Sequence, residues 1–231
     1  MTSPVPVPPK NLNPFARELL EALAGHPEAA EIVIGGGVAL SHYLEYRGTV
    51  DLDAWWRVQA QEEVRRLLHA AMEKLAVAHG LQMRVRRFGE TESYELISGS
   101  QKKFSFQISD RTRWLETPFA AKWPPLLIET FRDNLASKMT ALVDRGAPRD
   151  FTDIHALCQA GVVTAPECWA AWREKHPGGS VREGSRKVIL WLQMIEGRRP
   201  LEALPAADRA KAALVRTWVR DTLCRDEAHD Y

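Results

Sequence analysis

The run VDLDAWW at residues 50–56 most constrains the fold, because it puts two charged side chains into a segment that otherwise favours a β-strand. Aspartate is depleted in strands, whereas valine and tryptophan are enriched. Side chains alternate between the two faces of a strand, so we expect Asp51 and Asp53 to lie side by side, about 6–7 Å apart. Leu52 and Ala54 would then face the core. On a helix the two carboxylates would diverge.

Two carboxylates at this distance repel each other, and at least one takes up a proton unless a cation lies between them. Mg²⁺ takes hard oxygen ligands and is usually held by one or two carboxylates together with substrate phosphates, and Mn²⁺ suits the same ligands. A pair of such ions, about 3.5–4 Å apart, can serve an in-line displacement. Asp51 and Asp53 are therefore candidate metal ligands, and the alternative is a solvated face with ordinary surface acids.

Three consecutive glycines, Gly35, Gly36 and Gly37, lie between a predicted strand at residues 31–34 and a predicted helix at residues 38–46. Their backbone N–H groups are expected to form an anion-binding nest that suits phosphate. The alternative is a turn in which the glycines serve only tight packing. The chain between this turn and the aspartates leaves room for one short helix, so we expect the turn and the carboxylates to share one site.

Hydrophobic periodicity predicts an α/β (α+β) architecture with a helical C-terminal part. The predicted elements are a helix at 14–24, a strand at 31–34, a helix at 38–46, a strand at 50–56, a helix at 61–79, an antiparallel meander at 81–85, 94–96 and 104–108, and helices at 131–146, 150–161, 181–195 and 205–224. The predicted domains are a flexible proline-rich tail at 1–14, an α/β core at 15–125 and a helical region at 126–231.

The composition argues against several classes of protein. With 31 basic and 30 acidic residues the net charge is +1, so no global field attracts nucleic acid or an acidic membrane. The three cysteines show no metal-ligand spacing and indicate reduced packing residues. No apolar stretch is long enough for a membrane span, and the N-terminus has no hydrophobic signal core, which predicts a cytoplasmic protein without a membrane partner.

The stretches GGGVAL at 35–40 and RGTVDLD at 47–53 together resemble the first motif of the nucleotidyltransferase superfamily, in the form found in the AbiEii/AbiGii toxin family. A second stretch, DNLASKMTALVDRGAPRDFTDIHAL at 133–157, is similar to that family's run of a helix lysine, an arginine–glycine turn and a following aspartate pair. Two motifs in the expected order are much more specific than either one. The resemblance spans roughly residues 31–160.

The resemblance implies a nucleotidyltransferase fold, in which a mixed β-sheet flanked by helices precedes a helical part that completes the active-site cleft. It implies an enzyme that binds a nucleoside triphosphate with Mg²⁺ (or Mn²⁺), transfers a nucleotide to an acceptor and releases pyrophosphate. Related toxins modify the 3′ end of tRNA and are held in check by an antitoxin from a neighbouring gene.

The family pattern also implies roles for individual residues of this chain. They are Asp51 and Asp53 as catalytic metal ligands, Gly36, Gly37, Arg47 and Thr49 as nucleotide-binding residues, and Lys138 with Asp150 or Asp153 as the residues that complete the active site. Lys138 and Arg145, seven positions apart, lie on nearly the same face of a helix, where two cations would neutralise a triphosphate.

Two positions depart from the family pattern. Many members have serine or threonine directly after the glycines, whereas this chain has Val38, so only backbone donors remain there. Many nucleotidyltransferases place a third carboxylate on a later strand, where this chain offers Ser105 and Gln107. Glutamine is neither an anionic ligand nor a general base, so Asp150 or Asp153 takes this role, or the acceptor hydroxyl loses its proton without a dedicated base.

Several candidate residues have purely structural alternatives. Lys138 and Arg145 would be ordinary cations of a solvated helix face. Asp150 is at the position of an N-cap and Asp153 follows three residues later, where acids stabilise the start of a helix. Trp55 shares the predicted strand face of the aspartates, so it stacks on a base or packs against the protein.

An RNA acceptor requires a basic surface, and the meander region concentrates cations. These are Arg84, Arg86, Arg87, Lys102, Lys103, Arg111 and Arg113, against the acids Glu90, Glu92, Glu95 and Asp110. The alternative is that these charges only prevent pairing at an exposed sheet edge.

The sequence therefore predicts a cytoplasmic, Mg²⁺-dependent nucleotidyltransferase that transfers a nucleotide from a nucleoside triphosphate to RNA, with tRNA as the favoured acceptor. It would be the toxin of a toxin–antitoxin or phage-defence pair, with a cognate antitoxin as a partner. One rival is transfer to a protein hydroxyl. The other is a catalytically weakened nucleotide-binding regulator, which Val38 and Gln107 favour.

Overall fold

A mixed β-sheet organises the N-terminal part of the chain. The structure is a computed structural model that describes residues 4–111 and 113–225, and within these residues seven strands form one sheet in the order β3-β4-β5-β2-β1-β7-β6. The strands are β1 (Ile32–Gly35), β2 (Asp51–Trp56), β3 (Gln82–Phe88), β4 (Thr91–Ser98), β5 (Gln101–Ser109), β6 (Phe119–Ala120) and β7 (Leu127–Ile128). The pairs β2/β5 and β1/β7 are parallel, and the other neighbours are antiparallel. The predicted meander is confirmed as β3, β4 and β5.

Two amphipathic helices, α1 (Pro14–Leu23) and α3 (Glu62–Ala78), bury their apolar faces in the core of this part. Leu19, Leu20 and Leu23 of α1 and Val64, Leu68 and Met72 of α3 share that core with Leu52, Ala54, Trp56, Phe104 and Phe106 of the sheet. Burial of one such side chain contributes about 1.5–3 kcal/mol. One face of β2 is therefore buried in this core. The aspartates lie on the opposite face of the strand.

The sequence predicted the strand at β2 and the helices α1 and α3 closely, but it overestimated the helix after the glycines. That helix, α2 (Gly36–Ser41), begins two residues earlier and ends five residues earlier than the predicted range of 38–46. Contacts outside the helix hold the chain beyond it: the Tyr43 hydroxyl donates to the Glu129 carbonyl oxygen, and the Glu45 carboxylate accepts from the N–H groups of Lys10 and Asn11. Because these contacts are distant in sequence, local periodicity does not reveal them.

The remainder of the described chain is helical, as predicted, but its helix at residues 165–175 was not among the predicted elements. Its elements are α4 (Phe131–Asp144), α5 (Pro148–Gln159), α6 (Ala165–Lys175), α7 (Val181–Arg198) and α8 (Ala206–Trp218), followed by a π-helical turn, Val219–Leu223. Gly146 ends the segment of α4 with a φ of +51°, the left-handed conformation that a glycine after a helix favours. A Cβ at this position would lie 2.8 Å from Cδ1 of Trp191, so the close approach of that indole also requires glycine.

The chain forms two compact units, residues 4–134 and residues 135–225. The three-part division predicted from the sequence stays a prediction, and residues 1–3 of its tail and 226–231 of its helical region lie outside the described residues. None of the helices in the described ranges is both long enough and apolar enough to cross a lipid bilayer.

Candidate active site

Strand β2 presents its two aspartates on one face, as the sequence predicted. Leu52 and Ala54 are buried, whereas Asp51 and Asp53 are partly accessible. The alternation follows from the period of two along a strand, with the apolar side chains directed into the core. The register places Asp53 opposite Gly35 of β1, which leads directly into the other glycines.

Gly36 and Asp53 are in direct contact. Gly36 has a φ of +58°, in the left-handed region that favours glycine. A Cβ on Gly36 would lie 2.8 Å from Cγ of Asp53 and would overlap its carboxylate, so the position requires glycine for a second reason. The glycine turn, residues 35–37, therefore touches the carboxylate of β2, and the two predicted parts of the site lie together.

Gly37 brings two further predicted residues to the same place. A Cβ on Gly37 would lie 3.4 Å from Thr49 Oγ1 and 3.6 Å from Nη2 of Arg47. The Thr49 hydroxyl donates to the backbone oxygen of Asp51 at 3.0 Å, which fixes the start of β2. All six residues that the first motif singles out are thus assembled within residues 4–134.

Strand β5 runs parallel to β2 and aligns Ser105 with Asp51 and Gln107 with Asp53. The Ser105 hydroxyl donates to Asp51 Oδ1 at 2.6 Å, and Nζ of Lys102 lies 3.0 Å from the same oxygen. The strand predicted to lack a third carboxylate therefore lies beside the aspartates. In place of a carboxylate it supplies the hydroxyl of Ser105 and the ammonium group of Lys102. From the sequence Lys102 was predicted only as a surface cation, because nothing in its spacing indicates the contact with Asp51.

The sequence did not reveal the fully buried carboxylate of Glu129, which follows β7 and precedes α4. Its Oε1 accepts from the N–H of Gly36 at 3.0 Å, and its Oε2 accepts from Nε1 of Trp55 at 3.1 Å and Nη1 of Arg111 at 2.5 Å. The N–H of Gly36, a predicted phosphate donor, is therefore bonded to a protein carboxylate in this structure. The indole of Trp55 is packed between Gly35 and the Arg111 guanidinium, which favours the packing role over base stacking.

In the C-terminal unit, four residues of the second motif form two ion pairs. Each pair joins a cation on α4 or directly after it to an aspartate on α5. Nζ of Lys138 lies 2.8 Å from Oδ2 of Asp153, and both side chains are at least nine-tenths buried. Arg145 donates from Nε and Nη2 to the two oxygens of Asp150 at 3.0 and 3.1 Å. Lys138 is thus not a cation on a solvated helix face. Its role toward a nucleotide stays a prediction.

The structure also changes the capping interpretation of these two aspartates. The N-cap of α5 is Ala147, so Asp150 is the third helical residue and accepts from the N–H of Ala147 at 3.2 Å. It stabilises the helix start from this position rather than as the N-cap residue. Asp153 lies beyond the first turn, and its carboxylate is used by Lys138.

The donor set of β2 is suited to a hard divalent ion. Among the described residues, no group of three or more histidine, cysteine, aspartate or glutamate side chains is arranged to hold a metal. Asp51 and Asp53 nevertheless supply carboxylate oxygens on one strand face, and Mg²⁺ is commonly held by one or two carboxylates with substrate phosphates and water. The residues present therefore fit an ion whose other ligands come from a nucleotide and solvent.

Comparison with protein families decides the class of this chain. The family described as "Nucleotidyl transferase AbiEii toxin, Type IV TA system" matches residues 18–218. The chain belongs to the AbiEii family. The match includes both motifs, which confirms the resemblance and the nucleotidyltransferase fold with its mixed sheet flanked by helices. No curated protein matches the chain.

Membership of the AbiEii family makes the protein a nucleotidyltransferase, an enzyme of the class predicted from the sequence, and places it among the toxins of type IV toxin–antitoxin systems. Nucleotidyltransferases generally use divalent metal ions. The cluster around Asp53 and the glycine turn is consequently the candidate active site of residues 4–134.

Proposed function

We propose that this protein is the toxin of a toxin–antitoxin pair and transfers a nucleotide from a nucleoside triphosphate to RNA, with tRNA as the acceptor and Mg²⁺ as the metal ion. The observation that carries the proposal is the contact of the Asp53 carboxylate with Gly36 on the strand face that also bears Asp51. A triphosphate and its metal ion need a glycine turn that lets phosphates approach closely and acidic oxygens within one small volume, and this arrangement places the turn beside both carboxylates.

The proposed reaction is an in-line displacement at the α-phosphorus. The oxygen of an acceptor hydroxyl forms a bond to phosphorus, the bond to the bridging oxygen of the β-phosphate breaks, and pyrophosphate leaves with that electron pair. Mg²⁺ would polarise the phosphate and stabilise the developing charge. Asp51 and Asp53 would hold the ion, while Gly36, Gly37, Arg47 and Thr49 would position the triphosphate. Gly36 would do so through the shape of the turn, because its N–H is bonded to Glu129.

The acceptor hydroxyl must also lose its proton. Gln107, which aligns with Asp53, cannot accept it, because an amide is not a base at neutral pH. We propose that the proton passes to solvent or to Asp150 or Asp153. Lys138 and Arg145 are proposed to act on the triphosphate, as the family resemblance implies.

Two alternatives are distinguished by the same experiment. Transfer to a protein hydroxyl would use the same arrangement of residues. The contacts of Lys102 and Ser105 favour a weakened nucleotide-binding regulator. Both side chains bond to Asp51 Oδ1, and they come from the strand on which many nucleotidyltransferases have a third carboxylate.

The deciding experiment incubates the purified protein with each α-labelled nucleoside triphosphate, Mg²⁺ and total RNA. Label on tRNA supports the proposal, label on protein supports the first alternative, and bound nucleotide without transfer supports the second. A parallel sample contains tRNA whose 3′-terminal ribose has been oxidised with periodate, so that transfer to the 3′ end is abolished while transfer elsewhere on the RNA persists.

Asp53→Ala is expected to abolish labelling and to leave the protein folded, because removal of one of two crowded carboxylates relieves their repulsion. Glu73→Ala is the matched control, since Glu73 is an exposed acid on α3 and its removal also changes the charge by one. Full labelling by Asp53→Ala would refute the assignment of the site, and thermal unfolding of both variants shows whether the fold is retained.

A further inference from the structure

We infer that Glu129 and Asn134 are positioning residues that hold the glycine turn against Asp53. The inference rests on the proposed function, because it assigns to the turn the task of placing a triphosphate beside the carboxylates of β2. Neither residue is among the predicted site residues, although Asn134 lies within the second motif, and their contacts with the turn are made through the backbone of Gly36.

Two hydrogen bonds fix the two peptide groups of Gly36, and a third joins the side chains that make them. Glu129 Oε1 accepts from the N–H of Gly36 at 3.0 Å, and Nδ2 of Asn134 donates to the carbonyl oxygen of Gly36 at 2.9 Å. The same Asn134 nitrogen donates to Glu129 Oε1 at 2.5 Å, so the carboxylate and the amide brace each other. The left-handed conformation of Gly36 is therefore held by side chains from outside the turn.

The second oxygen of Glu129 connects the turn to the strand that carries the aspartates. Oε2 accepts from Nε1 of Trp55, a residue of β2 two positions after Asp53, and from Arg111, whose positive charge offsets the buried carboxylate. One side chain thus fixes the distance between the turn and the strand. The Tyr43 hydroxyl also donates to the Glu129 carbonyl oxygen, and burial, followed by the charge of Glu129, raises the pKa of Tyr43.

The position of the turn matters because a misplacement of about 1 Å in an active site reduces rates by up to about a hundredfold. Glu129→Gln keeps the shape of the side chain but removes the charge. The glutamine amide has one oxygen and one NH₂ group, whereas both oxygens of Glu129 accept from donors. In one orientation the NH₂ group faces the donors of Trp55 and Arg111, and in the other it faces the donors of Gly36 and Asn134, so one pair of donors always loses its acceptor. The turn is therefore expected to move or to loosen.

Asp133→Asn is the matched control. Asp133 is equally buried and also binds Arg111, but its other partners include Thr130 and the N–H groups of Leu115 and Glu116, all of which lie outside the glycine turn. Both variants are expected to lower the melting temperature, since each removes a charge from one buried network. Asn134→Ala provides a second variant of the turn contacts that keeps the carboxylate of Glu129.

Two measurements test the inference. By hydrogen exchange and mass spectrometry, amides of residues 35–41 should exchange at least tenfold faster in Glu129→Gln and Asn134→Ala than in the wild type, and Asp133→Asn should leave them unchanged. In the transfer assay, the same two variants should show KM for the nucleoside triphosphate raised about tenfold or more, with KM for RNA unchanged.

Unaltered exchange, or equal effects of Asp133→Asn, would overturn the inference. A wild-type protein without transfer activity would refute the proposed function, whereas the exchange data would still decide whether these residues hold the turn.

Discussion

At the scale of single residues, Gly36 combines a backbone conformation that requires glycine with a contact to a proposed catalytic carboxylate. Its φ of +58° costs a residue with a side chain about 1–2 kcal/mol, and an added methyl group would also displace the Asp53 carboxylate. Gly36→Ala is therefore expected to destabilise the fold and to abolish nucleotide transfer.

Gly80→Ala separates these two effects, because Gly80 has a φ of +61° and a Cβ added there would meet no atom of the described residues within 4 Å. It should lose about 1–2 kcal/mol of unfolding free energy by urea titration and keep full transfer activity. If Gly36→Ala were as active as Gly80→Ala, the contact with Asp53 would have no role in the reaction.

A second residue-scale prediction concerns Lys102, whose ammonium group would compete with the proposed metal ion for Asp51. The Lys102 side chain is 40% exposed, and exposed ion pairs contribute about 0–1 kcal/mol, so the competition amounts to at most about fivefold in affinity. Lys102→Met should tighten Mn²⁺ binding by up to that factor in an electron paramagnetic resonance titration. Lys103→Met, which removes an exposed neighbouring cation that contacts Gln101, should leave the affinity unchanged. Equal affinities in the two variants would remove Lys102 from the metal site.

At the scale of elements, α4 and α5 are joined by the buried pair of Lys138 and Asp153. Removing one partner leaves the other charge buried and uncompensated, which typically costs about 3–5 kcal/mol, whereas apolar replacement of both is often neutral or stabilising. Lys138→Met and Asp153→Leu should each lower the free energy of unfolding, and the double variant should recover most of the loss.

The same double variant tests the proposed role of these residues in the reaction. If Lys138 and Asp153 take part, the double variant will be folded and inactive, which separates stability from chemistry. A stable double variant with wild-type transfer would instead assign the pair to helix packing alone.

The elements predicted from the sequence are those whose periodicity coincides with burial. Strand β2 alternates between core and solvent, so its period of two is enough to assign both aspartates to the correct face. Strands β6 and β7 have two residues each, too few to show a period. Glu129 was missed for a different reason: it is a single glutamate outside both predicted sites, and its partners Gly36, Trp55 and Arg111 come from separate segments of the chain.

At the scale of the whole molecule, the net charge of +1 conceals an uneven distribution along the chain. Residues 4–134 contain 16 basic and 17 acidic residues, whereas residues 135–225 contain 15 basic and 10 acidic residues. The meander cations are largely neutralised, since Arg84 and Arg86 pair with Glu95 and Arg87 pairs with Glu92. The excess positive charge therefore belongs to the helical unit rather than to the strands of the meander.

Helix α7 presents part of this excess as Arg182, Arg186 and Lys187, which are exposed and form no ion pair within the described residues. If the acceptor is RNA, replacing all three with glutamine should raise KM for RNA and leave KM for the nucleoside triphosphate unchanged. Each contact to a phosphate contributes about 0.7 to the slope of log affinity against log salt for single strands, so the slope should fall by about 2.

The matched triple variant replaces Arg84, Arg86 and Arg87, whose charges are already paired, and should change the slope much less. The reverse order of effects would place the RNA on the meander, and equal, negligible effects would show that neither surface binds the acceptor.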